Sequence, residues 1–252
     1  TGSTDVGRKL TRQAAGTLKR VSMELGGHAP YIVFGDADVH QAVRDVVACK
    51  FRNAGQTCIA TNRIYVQRTI ADGFAALLAD AVAALKVGDA LDPATQIGPL
   101  VDQQGLDKVH EHVADAVDRG ARVLTGGRGT GGLFYAPTVL LDVKPDMRLM
   151  REETFGPVAP VIAFDTEDEV IEAANDTPYG LAAYVWTRDL SRAVRVSEQL
   201  DYGIIGVNDP VPSTAQAPFG GVKQSGFGRE GGHWGLDEYL YVKFTSIGVQ
   251  RS

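Results

Sequence analysis

Apolar residues recur along the chain with two spacings, one typical of helices and one typical of strands. Apolar positions three and four residues apart predict helices near 5–18, 38–52, 69–85, 103–118, 167–175 and 189–200. Short β-like runs bounded by glycine, proline or aspartate predict strands at 31–34, 63–66, 121–124, 160–164, 182–186 and 203–207. Because helices and strands alternate, the pattern predicts an α/β fold with a mainly parallel sheet flanked by helices.

Two further segments stand apart from this alternation. Residues 126–132, GGRGTGG, form a low-complexity patch that we expect to be a surface loop. Residues 238–247, EYLYVKFTSI, are rich in β-forming residues but follow a glycine-rich stretch that offers no local helix to pack on them. Such a strand either completes its own sheet or adds to the edge of a neighbouring one. We favour the second arrangement.

The composition favours a globular chain whose partner is a small molecule. Its 252 residues are 44% apolar, which is enough for a core in one large domain or two smaller ones. The net charge of −6, with both signs interspersed, argues against nucleic acid or an anionic membrane as the partner. No apolar run approaches the roughly 20 residues that cross a bilayer, and the first residues do not resemble a secretion signal. We therefore expect a cytoplasmic location.

The chain has two cysteines, too few for a disulfide framework, and we expect both to be reduced. Cys49 falls in step with Ala42 and Val46 on the apolar side of the helix predicted at 38–52, which indicates an inert buried thiol. Cys58 lies instead in a loop, between GQT and IATNR, whose backbone N–H groups can point toward the sulfur or a bound oxygen. It is either a nucleophile or a structural cysteine, and the loop alone does not decide.

A carboxylate follows a short predicted strand in SMELGGHAP, residues 22–30. Glu24 is followed closely by Gly26 and Gly27, which permit a close approach of the backbone. A glutamate near a cysteine acts as a general base when burial raises its pKa toward neutrality. A glutamate that accepts a hydrogen bond from a turn amide explains the same motif, and both interpretations stay open.

Three glycine-containing stretches are further candidates for ligand contacts. GSTDVG, residues 2–7, resembles a turn that enters a helix and meets a phosphate, although Ser3 or Thr4 as a plain N-cap explains it as well. EETFGPV (152–158) and APFGGVKQSGFGREGG (217–232) combine glycines with polar and aromatic residues, as loops that line ligand clefts do.

Together these motifs resemble the aldehyde dehydrogenase superfamily. Five of them occur in that family's order and are spread over nearly the whole chain: GSTDVG, MELGG, GQTC, EETFGPV and PFGGVKQSGFGRE. The interval of 34 residues from Glu24 to Cys58 also resembles the family's spacing between its glutamate and its cysteine.

The resemblance implies a covalent mechanism that needs no metal ion. Cys58 would attack the aldehyde carbon, and the thiohemiacetal would lose a hydride to NAD or NADP, which leaves a thioester. Glu24 would activate the water that hydrolyses it, and the backbone N–H of Cys58 would stabilise the oxyanion. Glu230 matches a second glutamate of a proton relay. The cofactor-binding residues that the resemblance implies are Gly2, Ser3, Leu25, Gly26, Glu153 and Phe155.

Within the superfamily, FRNAGQTC and GGVKQSGFGREGG are most similar to the succinate-semialdehyde dehydrogenase branch. In that branch the arginine six residues before the nucleophile, here Arg52, binds the distal carboxylate of the substrate. Ser213 resembles a second contact to that carboxylate, with Thr214 as the alternative, and Phe219 matches a tunnel-wall aromatic. A plain salt bridge from Arg52 to a loop is the competing interpretation. The branch often has a second cysteine where this chain has Ala60, so we expect no redox switch.

The resemblance also implies a domain organisation. Residues 1–24 would be the tail of a dinucleotide-binding domain, 25–237 the catalytic domain and 238–252 an oligomerisation strand of a homodimer or homotetramer. The family's dinucleotide-binding fold and an oxyanion-hole asparagine precede the GST turn, so we expect this chain alone to bind nucleotide poorly and turn over little. The alternatives are a catalytically silent or scaffolding domain, or an aldehyde dehydrogenase for a neutral aldehyde.

Overall fold

The computed structural model describes residues 1–249, in which helices and strands alternate. The helices are α1 (Thr4–Ala15), α2 (Val39–Phe51), α3 (Arg68–Ala83), α4 (Gln103–Asp118), α5 (Glu167–Asn175), α6 (Leu190–Gln199) and α7 (Gly232–Asp237). The strands are β1 (Met23–Glu24), β2 (Ala29–Val33), β3 (Thr61–Gln67), β4 (Arg122–Thr125), β5 (Gly129–Gly131), β6 (Phe134–Tyr135), β7 (Thr138–Leu141), β8 (Val158–Phe164), β9 (Tyr179–Gly180), β10 (Ala182–Trp186), β11 (Ile204–Val207), β12 (Val222–Lys223) and β13 (Gly226–Phe227).

A seven-stranded sheet in the order β11-β10-β2-β3-β8-β7-β4 forms the centre of the fold. All neighbouring strands in it are parallel except β4, which runs antiparallel to β7 at one edge. The prediction of a mainly parallel sheet flanked by helices is therefore confirmed. All five residues of β2 are buried, as expected for a central parallel strand that is covered on both faces.

Each of the six predicted helices and six predicted strands has a counterpart at the same place in the chain. The helix starts follow from local chemistry, since Asp38, Asp102 and Asp189 each accept a hydrogen bond from a backbone N–H in the first turn of α2, α4 and α6. Thr166 and Glu169 form a reciprocal capping box at the start of α5. Among the helices within residues 1–249, none is both long and apolar enough to cross a membrane.

The glycine patch at residues 126–132 differs in part from its prediction as a loop. Its residues Gly129–Gly131 form β5, which pairs with β6 in a small exposed hairpin. The reason is that glycine at positions such as Gly131, with a φ of 113°, allows the tight reversal that brings the two short strands together. The patch still lies at the surface, as predicted.

The segment predicted to be a C-terminal strand forms none with the rest of this chain. Residues 238–249 follow α7 without strand structure, and large apolar side chains such as Tyr241, Val242 and Phe244 are almost fully exposed. A strand needs a partner edge, so its pairing with another subunit stays a prediction. Residues 250–252 of the predicted segment lie outside the described residues.

Candidate active site

Three adjacent strands of the sheet bring the candidate residues together. Glu24 precedes β2, Cys58 precedes β3 and Glu153 precedes β8, each by only a few residues. Because β2, β3 and β8 are parallel neighbours, the segments that enter them meet at the amino edge of the sheet. Open α/β sheets usually bind ligands at the carboxyl edge, so the position of this site is a distinguishing feature of the fold.

At this edge lies a cavity of about 820 Å³, and the twelve residues predicted for the site line it, whereas the alternative Thr214 does not. The catalytic candidates among them are Cys58, Glu24 and Glu230. The cofactor candidates are Gly2, Ser3, Leu25, Gly26, Glu153 and Phe155, and the substrate candidates are Arg52, Ser213 and Phe219. The volume is sufficient for a small organic ligand. A second cavity, of about 350 Å³ beside Arg63, is lined by none of these candidates.

The loop before Cys58 has an unusual backbone. Asn53, Ala54 and Gly55 have φ values of 52°, 56° and 75°, so three consecutive residues occupy the left-handed region. Alanine rarely adopts this conformation, which persists only where surrounding contacts enforce it. At Gly55 a side chain is also excluded, because a Cβ atom would lie 2.2 Å from the carbonyl oxygen of Gly156. The turn redirects the chain from α2 into the cavity.

Gln56 holds this turn in place with both ends of its amide group. Its Nε2 donates to the carbonyl oxygens of Asn53 at 3.0 Å and Pro99 at 3.2 Å, and its Oε1 accepts from the backbone N–H of Val101 at 2.8 Å. These bonds fix the loop two residues before Cys58 against the segment that leads into α4. Gln56 itself lines the cavity.

The two cysteines differ in exposure. Cys49 is 6% exposed, and its sulfur lies 3.2 Å from the Oγ1 atom of Thr61, so the prediction of a buried thiol is confirmed. Cys58 is half-buried at the cavity. Burial, followed by the nearby carboxylates of Glu153 and Glu24, raises the pKa of the Cys58 thiol. Near neutral pH this thiol therefore needs a base to become a thiolate.

Glu24 has the properties of that base. Its side chain is 6% exposed, and neither carboxylate oxygen has a hydrogen-bond partner within residues 1–249. Burial, with a smaller contribution from the charge of Glu230, raises the pKa of Glu24 to about 7. The alternative of a glutamate bonded to a turn amide is therefore wrong for its side chain. Its main chain is fixed instead, because the Glu24 carbonyl accepts from the N–H of Gly2 at 3.1 Å.

Glu230 and Phe219 come to the cavity as a pair. Their backbones form an antiparallel bridge with two N–H···O bonds of 2.7 Å each. This bridge joins two ends of the glycine-rich stretch at 217–232, which the sequence analysis expected to line a cleft. Glu230 is more exposed than Glu24, and its negative charge contributes to the raised pKa of Glu24.

Glu153 and two glycines form a narrow cradle on another wall. The backbone N–H of Gly27 donates to Glu153 Oε1 at 2.9 Å, and a Cβ at Gly26 would lie 2.9 Å from Glu153 Oε2. Burial raises the pKa of Glu153, and the Gly27 bond opposes that rise. Phe155 follows with a φ of 52° and 38% exposure, so its ring is open to the cavity.

The N-terminal turn lines the cavity as well. Ser3 is the N-cap of α1, where its hydroxyl accepts from the N–H of Val6 at 3.3 Å, and this confirms the N-cap alternative. Thr4 belongs to α1, and its hydroxyl donates to the carbonyl of Gln224. Leu25 is buried, with its N–H donating to the carbonyl of Ser225 at 3.0 Å. The cap accounts for the Ser3 hydroxyl, and the contact of Gly2 and Ser3 with a cofactor phosphate stays a prediction.

Arg52 is an exposed residue whose guanidinium makes neither an ion pair nor a hydrogen bond with the part of the chain that the structure describes. The alternative of a salt bridge to a loop is therefore wrong. Arg52 and Ser213 line the same cavity as Cys58, whereas Thr214 does not and instead bonds Gln216. A free guanidinium and a hydroxyl thus lie in the cavity of the nucleophile candidate.

One wall of the cavity was not anticipated from the sequence. The start of α4 contributes Asp102, Gln104, Gly105 and Lys108, and the charge of Lys108 opposes the rise in the pKa of Glu153. Residues beside the motifs were also missed, namely Gln56, Thr57, Ile59 and Thr154. Proximity to GQTC and EETFGPV was a signal for this second group. No local pattern marks the residues of α4 as cavity residues, because this helix reaches the cavity only through tertiary packing.

Comparison with known proteins gives a family match over most of the chain. A family model described as the aldehyde dehydrogenase family matches residues 1–245. The chain is 53% identical to the NADP(+) succinate-semialdehyde dehydrogenase of Escherichia coli, over 99% of this chain and 52% of that protein. It is 51% identical to the 3-sulfolactaldehyde dehydrogenase of Pseudomonas putida, over 98% of this chain and 51% of that protein.

A solved structure gives the same result for the fold. The crystal structure of succinate-semialdehyde dehydrogenase from Burkholderia pseudomallei superimposes with a TM-score of 0.97 at 50% identity, over 99% of this chain and 52% of that one. The chain spans about half the length of the curated relatives that it matches.

Proposed function

The chain belongs to the aldehyde dehydrogenase family, and on that premise we propose that it carries the catalytic residues for NAD(P)-dependent oxidation of an aldehyde with a distal anionic group, succinic semialdehyde first. The observation that carries the proposal is that Cys58 and Glu24 line one cavity, so that a buried carboxylate without a hydrogen-bond partner in residues 1–249 shares this cavity with a thiol that needs a base.

Cys58 is the nucleophile. Glu24, with a pKa of about 7, takes the thiol proton, and the sulfur forms a bond with the carbonyl carbon of the aldehyde. The carbonyl oxygen takes the electron pair of its double bond, and the backbone N–H of Cys58 stabilises the charge that develops there. Loss of hydride from this thiohemiacetal carbon leaves a thioester on Cys58.

The chain also has residues that fit the nicotinamide end of a cofactor. The Glu153 carboxylate is an acceptor for ribose hydroxyl groups, and Lys108 adds a cationic donor on the same cavity. Gly26 leaves room for close approach beside Glu153. When bound, the nicotinamide cofactor supplies the hydride acceptor. We propose NADP as the cofactor to test first, since the name of the Escherichia coli relative specifies it.

Glu24 serves a second time when the thioester is hydrolysed. Its carboxylate takes a proton from water, the oxygen attacks the thioester carbon, and the carbon–sulfur bond breaks to release the carboxylic acid and the Cys58 thiolate. Glu230 then passes the proton from Glu24 toward solvent, a role supported by its place on the same cavity and by the effect of its charge on the pKa of Glu24. Glu24 must first lose the thiol proton by this route before it accepts the proton of water, and the Cys58 thiolate then takes that second proton from Glu24. One proton leaves per turnover, and the two groups return to the thiol and the carboxylate.

Arg52 and Ser213 select the substrate. Succinic semialdehyde has a carboxylate away from its aldehyde, and 3-sulfolactaldehyde, in the name of another relative, has a sulfonate. Both anions present oxygen pairs that a planar guanidinium binds with two hydrogen bonds. The free guanidinium of Arg52 in the Cys58 cavity supports an anionic aldehyde over a neutral one.

A thiol-labelling experiment and an ester hydrolysis experiment test the proposal without the need for a bound cofactor. A maleimide should label Cys58 at least about tenfold faster than Cys49, which is the internal control. An activated ester should acylate Cys58 and then be released from it as the acid, with Cys58→Ala abolishing both steps and Glu24→Gln slowing both. With succinic semialdehyde and NADP, reduced nicotinamide should form. We expect this turnover to be weak for the isolated chain, since its relatives are about twice as long.

The second candidate function is a catalytically silent or scaffolding domain, which has the family's fold but does not turn over substrate. It is favoured by one observation, the upward shift of the Cys58 pKa, which leaves the thiol protonated. Equal slow labelling of both cysteines, with no ester hydrolysis, would support this candidate and exclude the first.

For assembly we propose a homodimer or homotetramer in which residues 238–249 add to the sheet of another subunit. The exposed apolar side chains of that segment support this arrangement, because leaving them in water is unfavourable. Light scattering should give at least twice the monomer mass, and a monomer at high concentration would contradict it.

A further inference from the structure

We propose that His112 is a positioning residue that fixes the segment carrying Glu153 and Phe155, through one specific neutral tautomer of its imidazole. The inference rests on the proposed function in one respect, since it takes Glu153 as a ligand of the cofactor ribose. It concerns a residue of α4 that lies outside the cavity and behind its wall.

The imidazole of His112 contacts the two residues on either side of Glu153. Its Nδ1 lies 3.1 Å from Thr154 Oγ1, and its Nε2 lies 3.2 Å from Glu152 Oε2. His112 is fully buried in the middle of α4. The Glu153 carboxylate, by contrast, accepts from the N–H of Gly27. One ring therefore holds both chain neighbours of Glu153 and thereby fixes the direction of its side chain.

The partners of the ring define its protonation. A carboxylate can only accept hydrogen bonds, so the contact with Glu152 requires the hydrogen on Nε2. The lone pair of Nδ1 then accepts from the hydroxyl of Thr154. Burial lowers the pKa of His112, with the charges of Lys108 and Arg148 adding to the effect and Glu152 opposing it. The neutral Nε2–H tautomer satisfies every polar atom of this contact.

Glu152 is itself fixed, which makes the contact rigid. Arg148 donates to both of its carboxylate oxygens, from Nε and Nη2, at 3.1 Å each. The Nη1 of Arg148 bonds Glu111 on α4, and the N–H of Arg148 donates to Asp115 on the same helix at 2.8 Å. Glu152 is thereby joined to α4 by Arg148 as well as by His112.

The backbone at Phe155 needs such support. Its φ of 52° lies in the left-handed region, which is costly for a bulky residue and persists only when neighbouring contacts enforce it. Thr154, directly before it, is 3% exposed and bonded to His112. The same helix places Lys108 on the cavity. His112 therefore keeps two walls of the cofactor site, α4 and residues 152–155, in fixed relation.

Kinetics of His112→Gln and Thr154→Val test the role in binding. We expect each variant to raise the KM for NADP at least about tenfold, because a misplaced positioning group costs one to two orders of magnitude. The KM for succinic semialdehyde and the maleimide labelling rate of Cys58 should change less than about twofold. The double variant should lose little more than the larger single effect, since both substitutions break one contact. His110→Gln, at an exposed position of the same helix, should leave all values unchanged.

Two measurements on the chain without cofactor separate this inference from the proposed function. Nitrogen NMR of the imidazole should show hydrogen on Nε2, and hydrogen exchange at the N–H of Gly27 should be faster in both variants while the α4 amides are unaffected. If the wild type oxidises no aldehyde, the proposed function fails and these two readouts still decide the role of His112. Hydrogen on Nδ1, or unchanged exchange at Gly27, would overturn the inference, as would equal losses in every kinetic value.

Discussion

Gly27 lies directly against the main chain of Cys58: a Cβ atom at position 27 would stand 2.2 Å from the carbonyl oxygen of Cys58. Real side chains do not approach backbone oxygen so closely, so only glycine fits while the cysteine keeps its place. The same Gly27 donates its N–H to Glu153. Gly27 thus sets the spacing between Cys58, the candidate nucleophile, and Glu153, a candidate cofactor-binding residue.

Gly27→Ala is therefore expected to displace the Cys58 loop. Cleavage of an activated ester should fall about a hundredfold, as for a displaced reacting group, and the unfolding free energy should drop by about 1 to 3 kcal/mol from overpacking. Gly73→Ala is the matched control, because nothing lies within 4 Å of a Cβ there and the residue is inside α3. That substitution should stabilise the chain by about 0.5 to 1 kcal/mol. Normal ester cleavage in Gly27→Ala would contradict the spacing argument.

Glu24→Gln separates the catalytic effect of this carboxylate from its effect on stability. The pKa of Glu24 is raised from 4.5 to about 7, so the stability associated with its neutral form is fully present below pH 4.5 and is lost as the pH rises through 7. The variant should match the wild type in denaturant unfolding at pH 4 and exceed it at pH 8. Its ester release should be about a hundredfold slower and should no longer rise through pH 7. A lower stability of the variant at pH 8 would show that the carboxylate is stabilised by contacts.

The sequence predicted the parts of the fold that local patterns control. The six helices follow from apolar spacing and side-chain caps such as Thr166 with Glu169, which act within a few residues. The strand β7, by contrast, was missed because its four residues follow Pro137 in a run too short to separate from a loop. The C-terminal segment has the residue types of a strand, but a strand also needs a partner edge, and the local pattern does not supply one.

In the candidate site, too, local motifs predicted some residues, whereas others depend on tertiary packing. Glu24, Cys58 and Glu153 were found because motifs mark each of them, and the order of β2, β3 and β8 then brings the three motifs together. Lys108 was missed, since its place on the cavity depends on how α4 packs against residues 148–154. Likewise, no local pattern predicts the unpartnered carboxylate of Glu24, because its environment is built by residues such as Glu230 far along the chain.

Arg52→Ala tests the selection of anionic aldehydes. Loss of a two-bond contact between guanidinium and carboxylate should lower kcat/KM for succinic semialdehyde by about 30-fold to 100-fold. The value for butanal, which lacks the carboxylate, should change less than about threefold. Arg44→Ala is the control, since Arg44 is exposed on α2 and contacts Gln41 outside the cavity. Equal losses for both aldehydes would remove the anion-binding role.

Arg63 gives a prediction for stability that is independent of catalysis. Its side chain is 1% exposed, yet the described part of the chain holds no carboxylate in contact with it. Its guanidinium instead donates to the carbonyl oxygens of His28, Ala173 and Ala174 and to the hydroxyl of Tyr202, at 2.8 to 2.9 Å for the shortest contact with each. One residue of β3 thereby joins the start of β2 to the end of α5.

Arg63→Met removes the charge at similar length, and the His28 carbonyl loses both of its bonds from the guanidinium. The hydroxyls of Tyr65 and Tyr202 still donate to the carbonyl oxygens of Ala173 and Ala174. An unsatisfied buried group costs about 1 to 3 kcal/mol, so we expect a net decrease of about 1 to 3 kcal/mol in unfolding free energy. Arg68→Met is the comparison: Arg68 donates twice to Asp165, at 2.6 and 2.8 Å, but its side chain is 60% exposed. Water replaces those bonds, so its denaturation midpoint should stay near that of the wild type. Similar effects of the two substitutions would show that burial does not decide the strength of these arginine contacts.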